Sequence, residues 1–231
     1  MLFLLTGDVQ IGKTRWLESL CASLQAAGTC VAGVVAPGQW VPRPEGQPGG
    51  KHGFDGAGRF EKLGIDNVLL PQGERIEFAR RRDLAAGGKA FAEGAQAKAA
   101  KLGWAISDTA IAQVDAHFAM LAKQAGIAPA DSGMPALPDS VAQLAPRAML
   151  VIDELGRLEL LRGCGLANAL AILDAGPTSQ FPHAIAVVRE TLLDEARRRL
   201  EPRWGKATAV GPDDAARNLV LETAKVTGNA R

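Results

Sequence analysis

The chain has 231 residues, with 26 Lys plus Arg against 25 Asp plus Glu, 47% hydrophobic and 22% charged residues. A formal charge of +1 excludes binding to nucleic acid or an anionic membrane through a global basic field, and the composition excludes a disordered or fibrous chain. Three cysteines (Cys21, Cys30, Cys164) are too few and too scattered for a disulfide framework or a zinc site. They read as small buried residues in a reducing compartment. No stretch approaches the roughly 20 apolar residues of a membrane span, and the short apolar start lacks a basic leader, so a cytoplasmic location is the expectation.

Leu2–Thr6 is wholly apolar and broken by Gly7, the pattern of a strand buried on both faces. Thr14–Ala27 carries apolar residues at helical spacing, and Gly28 stands where a helix-ending glycine belongs. Cys30–Pro37 is a second buried strand. Strand, loop, helix, strand spells a βαβ unit of a parallel sheet. A long Gly/Pro-rich loop is expected from Gly38 to Gly58. The runs FDGAGRF, NVLLP and RIEFAR then predict a small antiparallel meander that turns at Pro71–Gly73. Arg80–Arg82 is a basic run, read as a solvated face. An Ala/Gly/Lys insertion covers about 84–103, and a Pro-rich one about 126–147. Between them Ser107–Gln124 predicts a capped helix. Ala148–Asp153 is the strongest central-strand candidate, followed by a helix over Leu166–Asp174. A strand at His183–Val188, a helix at Thr191–Leu200, a strand at Ala207–Val210 and a terminal helix at Asp213–Val226 complete one α/β domain over residues 1–231.

Gly7-Asp8-Val9-Gln10-Ile11-Gly12-Lys13-Thr14 fits the phosphate-binding loop G-x-x-x-x-G-K-[ST] and has the required context, a buried strand before and a helix after. Backbone N–H groups of such a loop turn inward onto phosphate oxygens, and the helix N-terminus adds its own. Lys13 is expected at the β- and γ-phosphates and the Thr14 hydroxyl on Mg²⁺, with Arg15 beside the loop. Many such loops have glycine at the position of Gln10, so this loop must hold a side chain there. Asp153 and Glu154 end the central strand. An acid at that position can hold Mg²⁺, and an adjacent Glu can deprotonate the attacking water. No N-K-x-D element reads guanine.

The run Asp153-Glu154-Leu155-Gly156-Arg157-Leu158-Glu159-Leu160 resembles the signature D-E-[IL]-G-[KR]-[ML]-E-L of a small P-loop nucleoside-triphosphatase family. That family is known from thermophiles and from a human cancer-related homologue, and has relatives resembling accessory proteins of molybdate handling. Gly53-Phe54-Asp55 is similar to its G-F-D element, and Val187-Val188-Arg189-Glu190 falls in the matching place. The resemblance covers residues 1–80 and 104–225. It implies a RecA-like sheet in which one strand separates the loop strand from the Asp153 strand. It also implies Mg²⁺-dependent hydrolysis of nucleoside triphosphates with little base selectivity. Glu159, at the family's second acid, reads either as an auxiliary base or as a helix-start acid. Arg189 and Arg157 read as candidates for charge stabilisation, against exposed arginines of no role. Two alternatives stay open: a kinase using the same loop with Arg80–Leu102 as its lid, and an accessory protein whose nucleotide state controls a protein partner. Trp16 reads as core, and Trp40 and Trp104 as packing before base stacking. His52, His117 and His183 earn no site.

Overall fold

The computed structural model describes residues 1–43, 59–82, 93–95, 104–128, 130 and 147–228. The expected G-F-D element, His52 and most of the three insertions lie outside these residues. The first unit is β1 (Leu2–Leu5), α1 (Lys13–Ala26) and β2 (Cys30–Val35), as the apolar spacing predicts. After it come β3 (Gly38–Pro42), β4 (Phe60–Leu70), β5 (Glu74–Arg81), β6 (Trp104–Ile106) and α2 (Asp108–Gln124). The remaining elements are β7 (Ala148–Leu155), α3 (Arg157–Arg162), α4 (Ala167–Ala175), β8 (His183–Val188), α5 (Leu193–Trp204), β9 (Thr208–Val210) and α6 (Asp214–Gly228).

Among the described residues all nine strands form one sheet, ordered β6-β5-β4-β2-β7-β8-β1-β9, with β3 added to β4. The five strands β2, β7, β8, β1 and β9 pair in parallel, and β3 to β6 form an antiparallel extension. Strand β8 lies between β1 and β7, the spacing that the resemblance implies. The sheet carries apolar cores on both faces. One holds Phe3, Leu5, Leu17, Leu20, Val151 and Val220 under α1 and α6. The other holds Leu4, Val34, Phe118, Leu150, Ile152 and Leu170 under α2 and α4. Parallel strands covered on both sides cannot alternate polar with apolar residues, which is why β1 and β7 read as unbroken apolar runs.

Three expectations are corrected. The loop expected from Gly38 gives way to a strand, β3, because its backbone pairs with the far end of β4. The run NVLLP is not separate from the Phe60 run: both lie on the single strand β4, whose register shift between Ile65 and Asp66 absorbs a bend. Trp104 opens the third meander strand, β6, rather than merely preceding a helix. Strand pairing at long range overrides the local turn signals in each case. The turn at Pro71–Gly73 and the Ser107 cap, whose Oγ accepts from the Ala110 N–H at 3.3 Å, are as predicted. Cys21 is buried, whereas Cys30 and Cys164 are half-buried. Among the described residues no helix is long and apolar enough to cross a membrane.

Two polar contacts seat α2. Asp115 accepts from the Asn168 N–H at 2.7 Å and from its side-chain amide at 2.8 Å, which ties α2 to α4. His117, 1% exposed, lies 3.2 Å from the Gly33 carbonyl on β2. Desolvation holds the His117 pKa below its ordinary 6.5, although the carbonyls of Gly33 and Leu70 favour the protonated form. A folded value below the unfolded one means that, as pH falls past about 6.5, the unfolded chain takes a proton that the native chain refuses, and stability is lost. Urea unfolding at pH 7.5 and 5.5 should therefore show a smaller acid loss for His117→Gln than for the wild type.

Candidate phosphate-binding site

Three neighbouring parallel strands deliver the site to one sheet edge. The 7–14 loop leaves the C-terminal end of β1, Arg189 follows β8, and Asp153 and Glu154 lie near the end of β7. Ligands bind at this edge in open α/β sheets because the loops and helix N-termini converge there.

The loop is built on backbone that turns to the left-handed side. Gly7 has φ 127° and Gly12, which caps α1, has φ 94°. Gln10 has φ 68°, so the side chain where other loops have glycine is carried at a steric cost of about 1–2 kcal/mol. Val9 and Ile11 face solvent at 77% and 44% exposure. The Lys13 ammonium folds back onto the loop and donates to the carbonyls of Gly7 at 2.8 Å and Asp8 at 2.7 Å. Desolvation lowers its pKa, and Glu154, Asp8 and Asp153 oppose that effect. These two carbonyls hold the ammonium in the concavity.

Thr14 and Asp153 meet across the floor. The Thr14 hydroxyl donates to Asp153 Oδ1 at 3.4 Å, and the Ala36 N–H donates to Oδ2 at 2.8 Å. Asp153 is 7% exposed, and desolvation pushes its pKa up to about 6. Glu154 stands apart from it. Its φ of 85° and the register shift between Ile152 and Leu155 mark a bulge that turns its side chain out of the strand. Its carboxylate pairs with Arg189 Nε at 2.9 Å and with the outer guanidinium nitrogen at 2.7 Å. Both side chains are about half exposed, so the pair is worth only about 0–1 kcal/mol and exchanges readily for another partner.

The structure brings Lys13, Thr14, Asp153, Glu154 and Arg189 together. Glu159 is not among them: it is 6% exposed and its carboxylate accepts from the Gly156 N–H at 2.9 Å and the Leu166 N–H at 3.0 Å. It fastens the start of α3. Arg157 is exposed, and among the described residues no hydrogen bond or ion pair joins it to Glu159. Arg15 stands over the Trp40 ring at 5.8 Å. Arg80, Arg81 and Arg82 are engaged with Glu77, Glu61 and Glu93 respectively.

Sequence reasoning missed Lys62. Its ammonium on β4 sits 5.9 Å from the Trp40 ring and 5.5 Å from the Trp104 ring, within cation–π range of both. Desolvation lowers its pKa, while attraction to Glu154 and Asp153 raises it. The two tryptophans thus hold a second cation near the acids. Only the pairing of β3, β4, β5 and β6 brings these three residues together, so no local pattern announces them.

No protein-family model matches the chain, and no curated protein matches it in sequence. Two solved structures are similar over nearly the whole length. The crystal structure of THEP1 from the hyperthermophile Aquifex aeolicus is 13% identical, with 96% of each chain covered and a TM-score of 0.50. The solution structure of a human cancer-related nucleoside triphosphatase is 18% identical, covering 100% of this chain and 98% of the other, with a TM-score of 0.49. The likeness to THEP1, with the strand order above, establishes the α/β P-loop fold.

The left-handed Gln10 yields a direct test. Replacement by Gly relieves the strain but adds unfolded-state freedom, so thermal unfolding should show a change between zero and about 1 kcal/mol of added stability. Gln10→Val, β-branched at the same φ, should cost about 1–2 kcal/mol or more.

Proposed function

We propose that the chain hydrolyses nucleoside triphosphates to the diphosphate and phosphate, with Mg²⁺ and with little base selectivity. The observation that carries this reading is the meeting of the 7–14 loop, the buried Asp153 and the Glu154–Arg189 pair at one sheet edge. In this reading the loop amides and Lys13 bind the β- and γ-phosphates. Lys13 exchanges its two loop carbonyls for phosphate oxygens, a stronger charge-assisted contact.

The residues fit a Mg²⁺ ion. Thr14 and Asp153 offer two adjacent hard oxygens, and the Asp153 carboxylate is desolvated with only an amide and a hydroxyl in hydrogen-bond contact. Thr14 and Asp153 would hold the ion through these oxygens, with phosphate and water supplying the rest of its ligands. Among the described residues no group of three or more His, Cys, Asp or Glu is placed to hold a metal. When bound, Mg²⁺ supplies positive charge to the β- and γ-phosphate oxygens.

Glu154 is the general base. Its carboxylate accepts the proton of a water as the water oxygen bonds to Pγ and the bond from Pγ to the bridging oxygen breaks. Arg189 leaves its exposed pair with Glu154 for the γ-phosphate, which frees the base and stabilises the charge that builds on the phosphoryl oxygens. Little base selectivity is part of this reading, which the resemblance implies and with which the absence of a guanine-reading N-K-x-D element agrees.

Phosphate release from ATP, GTP, CTP and UTP tests this reading. Turnover on several bases is the expected result. Glu154→Gln should lower kcat about 10²–10⁴-fold and leave nucleotide affinity within about threefold. Lys13→Ala should weaken binding as well as turnover. Undiminished turnover in Glu154→Gln contradicts the assignment of the base.

A further inference from the structure

A cavity of about 190 Å³ opens beside the phosphate site, on the sheet face covered by α2 and α3. Asp153, Glu154 and Arg189 line it too, so it shares with the proposed triphosphate site the residues assigned to the cation, the base and charge stabilisation. Its walls are largely apolar, with Phe78, Trp104, Ile106 and Leu158 among them. A cavity of roughly 150 Å³ takes up one benzene ring, so this one accepts a single six-membered ring with a short substituent and excludes a second nucleotide.

Asn67 gives the cavity a polar group. It lies on β4, is 3% exposed and lines the cavity. Among the described residues its side-chain amide makes no hydrogen bond. Among the other buried polar residues of the wall, Glu159 is already used by two backbone amides and Asp153 by the Ala36 N–H and the Thr14 hydroxyl. Asn67 is thus the group available to a ligand, with N–H donors for a ring nitrogen and a carbonyl for a ring N–H or amino group.

We infer that this cavity binds a monocyclic heteroaromatic alcohol as a phosphoryl acceptor, with Asn67 recognising its ring and Glu154 facing its hydroxyl. The inference rests on the triphosphate site proposed above. The alcohol oxygen bonds to Pγ, and the bond from Pγ to the β–γ bridging oxygen breaks with its electron pair leaving on the nucleoside diphosphate. The hydroxyl proton passes to the Glu154 carboxylate. Products are the phosphate ester and the diphosphate. Water takes the alcohol's place when the cavity holds no ligand.

Two measurements test this. In the first, ligand-observed NMR follows 3-pyridinemethanol and benzyl alcohol on the nucleotide-free protein. The ring nitrogen should make Asn67→Leu weaken 3-pyridinemethanol at least fivefold while benzyl alcohol changes less than twofold. Ile65→Trp, which fills the cavity from a half-buried lining position, should block both probes. In the second, γ-labelled ATP with Mg²⁺ and 3-pyridinemethanol should yield the labelled ester. Absence of binding by both probes, or equal response of the two probes to Asn67→Leu, overturns the cavity assignment. Labelled free phosphate with no ester overturns the acceptor role alone. Neither product overturns the triphosphate reading with it.

Discussion

The site depends on one carboxylate taken out of water. Asp153 is contacted by an amide and a hydroxyl, Ala36 N–H and Thr14 Oγ, and desolvation lifts its pKa from 3.8 to about 6. A shift of that size corresponds to roughly 3 kcal/mol of stability forgone near neutral pH. The sheet explains how this burial is enforced: β7 is flanked by β2 and β8 and covered on both faces, so a residue just past its apolar run has little water to reach.

Strained backbone gathers at the same edge. Gln10 and Glu154 both have positive φ without being glycine, and each belongs to a segment that must aim polar groups at one point. Gln10 keeps the loop curled, and Glu154 is turned out of β7 by a bulge while Asp153 stays buried. One strand end thereby presents two adjacent acids in opposite environments, one desolvated beside Thr14 and one half-exposed against Arg189. In the proposed hydrolysis those environments suit them to different tasks, a cation ligand and a base.

Much of this was legible in the sequence. The apolar runs of β1, β2, β7 and β8 fixed the parallel half, because strands buried on both faces leave an unmistakable composition. The loop pattern with the doubled acid pointed to Lys13, Thr14, Asp153 and Glu154, which the fold brings to one edge. The meander was harder. Strand β3 begins where Gly38 and Pro42 suggest a loop, since its pairing with β4 is set by tertiary contact. Lys62 between Trp40 and Trp104, and Asn67 in its cavity, depend on that pairing and have no local signature. The role of Glu159 needed coordinates to see that both its oxygens serve backbone amides.

We propose that the buried Asp153 carboxylate takes up a cation delivered with a triphosphate. Calorimetric titration of a non-hydrolysable ATP analogue, with Mg²⁺ and then with EDTA, measures this most directly in the wild type and in Asp153→Asn. Mg²⁺ should tighten binding at least tenfold in the wild type, and Asp153→Asn should abolish most of the gain. An equal Mg²⁺ effect in both proteins, or none in the wild type, would contradict it.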